Sequence, residues 1–190
     1  VLINKGGASI AAAIAATKNI SEYYPYATAE YTDGMKGDEG GVSLLRTGKD
    51  KKLSTLIFKY ASHGLSHGHF DELNINFFDK GNEIFTDYGS VRFIGVEQKY
   101  GGRYLAENKT YASATIAHNT MVVDEKTQFD GNEDIAEKYH SEKLFSDVKR
   151  PEVQVVAAKE ENAYKGVRLQ RNVYMLQLPD GKKLIADIFN

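Results

Sequence analysis

SHGHFDELNINFFDKGNEIFTDYG, residues 66–89, sets two apolar, extended runs around a turn, and how it is read decides the fold. Residues 69–78 and 83–87 carry the Phe, Ile and Thr that suit a pleated surface, and DKGNE at 79–83 supplies the Gly and Asn of a tight hairpin. The same stretch, with His63 just upstream, gathers three of the chain's five histidines, His63, His67 and His69.

The pattern repeats on both sides. Residues 42–46, 53–60, 120–124, 153–157, 168–178 and 183–189 read as further strands, and PDGKK at 179–183 as a second hairpin turn. One helix stands apart, GASIAAAIAATKNIS at 7–21, with no glycine or proline in its interior. The expectation is an all-β fold, an antiparallel β-sandwich with a short N-terminal helix. Residues 1–34 form the helix and a linker, and residues 35–190 form the sandwich. Residues 89–117, rich in Tyr, Gly and charge, are too long for an idle connection and read as a functional loop. The chain ends at LIADIFN, within a strand-like run, so a fragment of a longer sandwich is expected.

The 190 residues suit one domain of ordinary size. Lysine plus arginine number 24 against 26 acidic residues, and a net charge of −2 gives no electrostatic reason to expect nucleic acid or an anionic membrane as partner. No apolar run is long enough for a membrane span. The absence of cysteine excludes disulfides and thiolate metal sites.

The histidines carry the chemistry. In an extended strand residues i and i+2 share a face, so His67 and His69 project together while Gly68 leaves room for close approach. The hairpin returns Asp87 toward the start of the first run, and AHNTMVV places His118 at the head of another. Two imidazoles and a carboxylate from the ends of separate strands make a zinc-type ligand set. The plain alternative is that these histidines bond loop carbonyls. HGHFDE also resembles the His-x-His opening of a cupin, but its glutamate comes too early and the proline and glycine expected before the later histidine are missing.

SHGHFDELNINFFDKGNEIFTDYGSVRF (66–93), followed by KYGGRYLAENKTYASATIAHNTMVVDEKTQFDG (99–131), resembles the heparinase II/III-like polysaccharide lyases, and within them the oligoalginate lyases of polysaccharide lyase family 17. VQVVAAKEENAYKGVRLQRNVYML (153–176) is similar to the family's sandwich. The resemblance implies an N-terminal α/α toroid ahead of an antiparallel sandwich, in an enzyme that cuts uronate polymers by β-elimination. It implies that His69, Asp87 and His118 bind Zn2+, that Tyr104 is catalytic, that His67 assists beside the substrate, and that Arg92 binds substrate. The partners it implies are alginate or a related uronate oligosaccharide and the toroid domain, of which residues 7–21 would be a remnant; a homodimer is a further partner it admits. A periplasmic or secreted location is implied by the resemblance alone.

Lacking the toroid, the fragment is expected to be inactive alone. Two other functions compete. A heparin or heparan sulfate lyase would carry more basic residues near the site than Arg92, Lys99 and Arg103. A non-catalytic carbohydrate-binding sandwich would not need the metal-type ligands and Tyr104 together.

Overall fold

The computed structural model describes residues 28–64, 67–87 and 104–190. The expected helix at 7–21 and Arg92 lie outside the described residues.

Two antiparallel sheets make up the structure. The first holds β1 (Ala29–Thr32), β2 (Gly41–Thr47), β3 (Ser54–Lys59), β4 (Asn74–Asp79) and β5 (Asn82–Phe85), in that spatial order. The second is a meander of β6 (Glu142–Arg150), β7 (Val153–Glu160), β8 (Leu169–Gln177) and β9 (Lys183–Phe189). Sequential neighbours pair throughout, the simplest antiparallel connectivity.

Alternation explains which face is buried. In β2 the side chains of Ser43, Leu45 and Thr47 are buried and their neighbours half-buried, and in β3 Ser54, Leu56 and Phe58 follow the same period. These apolar residues join Ile75 and Phe77 of β4 in one core with Val156, Ala158, Val173 and Met175 of the second sheet. Ala158 of β7, fully buried, shares that core with the large rings of Phe58 and Tyr60. Polar pegs also cross between the sheets: Thr28 Oγ1 to Gln154 at 2.6 Å and Thr47 Oγ1 to Gln177 at 2.5 Å.

Several sequence expectations need correction. The run 69–78 becomes a strand only from Asn74, because Phe70 N–H bonds Ser113 O at 2.9 Å and Leu73 turns to φ 60°. Residues 120–124 are not a strand. Asp124 and Glu125 adopt φ 51° and 58°, closing a turn across the Val123–Lys126 bridge. Strands β1 and β6 were not expected, since both are mostly exposed and lack a buried alternating stripe. A charged sheet edge of this kind carries little periodic signal.

Candidate functional site

The site lies where β3 ends and β4 begins. The connection between them (residues 60–73) carries His63, His67 and His69, and the segment before β6 docks against it. Thr115 Oγ1 donates to Phe70 O at 2.7 Å and accepts from Gln128 N–H at 2.9 Å. Gln128 in turn accepts from Glu72 N–H at 2.9 Å, and Thr120 Oγ1 donates to Glu72 O at 2.6 Å. A 3-10 turn at Thr115–Ala117 is thereby stitched to residues 70–72, and the next residue is His118.

His118 and Asp87 meet across this junction. Nδ1 of His118 lies 3.0 and 2.9 Å from the two carboxylate oxygens of Asp87. The His69 ring stands beside His118, with centroids 5.1 Å apart and planes at 45°. His69 is held below the usual imidazole range, first by burial and next by His118, so it is uncharged and keeps a lone pair at neutral pH. His118 Nε2 is buried with no hydrogen-bond partner.

The donor set suits zinc in kind. Ligands at about 2.0–2.1 Å in a tetrahedron sit about 3.3 Å from one another, close to the His118–Asp87 separations. Among the described residues, however, no three His, Asp or Glu side chains already stand as a closed ligand group. His118 and Asp87 form the pair in contact, and His69 is one ring away.

The other expected residues are distributed differently. His63 is buried, with its ring 4.9 Å from Phe70 and its Nδ1 2.8 Å from Gly64 O. It is a packing histidine. Gly68 is the reason the loop closes on it, because a Cβ there would fall 1.9 Å from His63 O. His67 is exposed and outside any strand, so the shared face expected for His67 and His69 is not formed. Tyr104 is 66% exposed, at the start of the segment that leads through a π-helical turn (Asn108–Ala112) to His118.

Three residues that sequence reasoning missed support the pair. Asn74 Nδ2 donates to Asp87 Oδ2 at 2.7 Å, and Asn74 Oδ1 accepts from Asn119 N–H at 2.9 Å. Asn119 Nδ2 donates to Ile75 O at 3.0 Å and Thr86 O at 2.8 Å. Arg171, buried on β8, reaches across with Nη1 to Leu73 O and Asn119 O while Asp187 holds the rest of its guanidinium through Nε and Nη2. A charged residue inside the apolar run LQRNVYML was the available signal for Arg171, and an asparagine opening a strand was that for Asn74.

Residues 31–189 match the family model described as heparinase II/III-like, C-terminal. The chain belongs to the heparinase II/III-like family. Over 189 residues it is 41% identical to an exo-oligoalginate lyase of Saccharophagus degradans, covering 99% of this chain and 26% of that protein. It is 39% identical over the same length to an alginate lyase of Stenotrophomonas maltophilia, covering 99% and 25%. This heparinase II/III-like chain thus spans about a quarter of the curated relatives it matches. Among solved structures, a heparinase III superposes with TM-score 0.61 at 17% identity over 87% of this chain and 22% of that one. A heparan sulfate lyase from Pedobacter heparinus gives 0.59 at 18%, over 83% and 21%. These likenesses establish the sandwich fold.

Proposed function

We propose that the chain is the zinc-holding C-terminal domain of an alginate or oligoalginate lyase that breaks uronate chains by β-elimination. The observation that carries this reading is the meeting of Asp87 with His118, beside His69, from three separate segments of a chain that is 41% identical to an exo-oligoalginate lyase. Bound at His69, Asp87 and His118, zinc would supply cross-linking of those segments and a fixed positive charge.

The rest of the chemistry falls to side chains. A base takes the C5 proton, the C5–H electron pair becomes the C4=C5 double bond, and the C4–O bond breaks with its electron pair leaving on oxygen, which takes up a proton. In this reading Tyr104 passes that proton at Oη; its largely exposed ring and the anchoring of its segment near His118 support the role. Exposed His67 assists at the sugar, and Arg92 pairs with the uronate carboxylate. Neutralising that carboxylate and holding the ring also need groups that this domain does not supply, so the 190-residue chain alone is inactive in this reading. The sandwich takes in β1 (Ala29–Thr32), which pairs with β2, so the helical domain of this reading ends before residue 28 rather than at 34, and the place of action is periplasmic or secreted.

The test uses the longer protein containing this chain and alginate oligosaccharides, reading the unsaturated product by its ultraviolet absorbance. Tyr104→Phe, which keeps the ring and removes one hydroxyl, should lower kcat by at least about 100-fold with zinc content and folding unchanged. Near-normal turnover in Tyr104→Phe would overturn Tyr104's part, and failure of the parent to act on any uronate oligosaccharide would overturn the reaction.

A further inference from the structure

Asp87 lies beyond the end of β5, where no strand pairing fixes its side chain, yet both of its oxygens face one nitrogen of His118. A carboxylate on a short flexible stem does not hold such a pose unaided. Asn74 joins Asp87 to the residue that follows His118. Its Nδ2 donates to Asp87 Oδ2, and its Oδ1 receives the N–H of Asn119, the residue directly after His118. This amide, buried at 4% exposure, therefore ties the Asp87 carboxylate itself to the segment bearing His118, while Asn119 Nδ2 ties the backbones of the same two segments through Thr86 O.

Asn74 is itself held. Leu73, immediately before it, takes φ 60°, a conformation that a bulky side chain adopts only when its surroundings enforce it. Leu73 is fully buried, and its carbonyl accepts from Arg171 Nη1 at 2.6 Å. The left-handed turn ends the irregular connection and starts β4 in the register that aims Asn74 at Asp87, where Lys59 pairs with it across the sheet. The strain sits at the residue next to the amide that needs aiming.

We propose that Asn74 is a positioning residue of this site: its side-chain amide aligns the Asp87 carboxylate with His118 and so presets the geometry in which both take up zinc, a step that rests on the zinc reading above. Aspartate cannot replace it, because it offers an oxygen to Asn119 but no donor to Asp87. Leucine, of similar size, offers neither.

The experiment has two readouts on the full chain. Zinc affinity of the metal-free protein is measured by competition with a chromophoric chelator, and the His118 Nδ1–H resonance of the same metal-free protein is followed by nuclear magnetic resonance. Asn74→Leu should weaken zinc binding about 10- to 100-fold, the usual cost of losing a partner that orients a metal ligand. It should also abolish the downfield His118 Nδ1–H signal that the Asp87 hydrogen bond produces. Unchanged affinity together with an unchanged signal overturns the proposal. A wild-type chain that takes up no zinc overturns the metal reading instead, and the His118 signal then decides Asn74's part by itself. Should Asn74→Leu fail to fold, Asn74→Asp tests the same point through that signal: its loss supports the alignment role, and its retention overturns it.

Discussion

Glu72 and Asp87 are two carboxylates on the same junction, and their surroundings could hardly differ more. Glu72 points inward at 1% exposure, where Ser141 Oγ donates to Oε2 at 2.5 Å while Oε1 has no partner. Glu160, also buried, receives Asn162 N–H at 2.5 Å and Ala163 N–H at 3.1 Å, and lies within 3.4 Å of the same serine. Burial pushes the Glu72 carboxyl up to about 8, so at neutral pH it carries its proton. Asp87 has Asn74 as donor and His118 opposite. The lesson is that the junction buries one acid, kept neutral, to join the two sheets, and turns the other outward with Asn74 as donor so that its oxygens face His118.

Zinc uptake is the sharpest way to break that comparison. Asp87→Ala should lower zinc affinity by at least about 100-fold, whereas Glu72→Gln, which keeps shape and a carbonyl acceptor for Ser141, should leave it within about twofold. Equal loss in both variants, read as zinc retained after dialysis, would mean that the two acids form one functional unit.

A smaller effect is expected from the link between site and second sheet. Arg171→Met removes a buried guanidinium that satisfies Leu73 O, Asn119 O and Asp187. Loss of one member of such a set costs about 3 kcal/mol, at the low end of the usual range because Asp187 keeps partial access to water. Urea unfolding of the metal-free chain measures it, and a shift under about 1 kcal/mol would show the clamp to be incidental.

The most gradual effect is a pH slope. Glu72 has its folded value raised from 4.5 to about 8, so between those limits the folded chain holds a proton that the unfolded chain has released. Its contribution to stability is full below about 4.5, falls as pH rises, and is gone above about 8. Glu160 is shifted in the same direction by burial. Urea midpoints at several pH values should therefore fall from acid to alkaline more steeply in the wild type than in Glu72→Gln. Parallel curves would show that Glu72 titrates normally.

Strands with a buried alternating stripe were readable from sequence. LIF in β3, the Ile75–Phe78 run of β4 and the whole of β8 lie close to where their apolar residues placed them, and β9, without a buried stripe, was marked by the PDGKK turn before it. Edge strand β6 was silent because exposure removes the alternation, and Val122–Val123 misled because local turn geometry at Asp124 and Glu125 outweighed β propensity. At the site, the pairing of His118 with Asp87 was legible from the hairpin and the motif order. The roles of Asn74 and Arg171 were not, since both depend on which backbone carbonyls and amides come within reach across more than one segment. His63 illustrates the opposite failure: part of a conspicuous cluster, it proved to be packed on Phe70.

Arg171 has one more implication. Its charge is balanced by Asp187 and its plane lies 5.1 Å from the centre of the Phe189 ring, both on β9, an edge of the second sheet. β9 has no buried residue, and segments with few buried contacts open at low free energy through local excursions that leave the remainder folded. Each such opening of β9 would strip the guanidinium of its counter-charge while it still grips the carbonyls of Leu73 and Asn119. The population of an aligned His118–Asp87 pair is therefore tied to the opening free energy of a strand on the other sheet, and anything that seals that edge raises it.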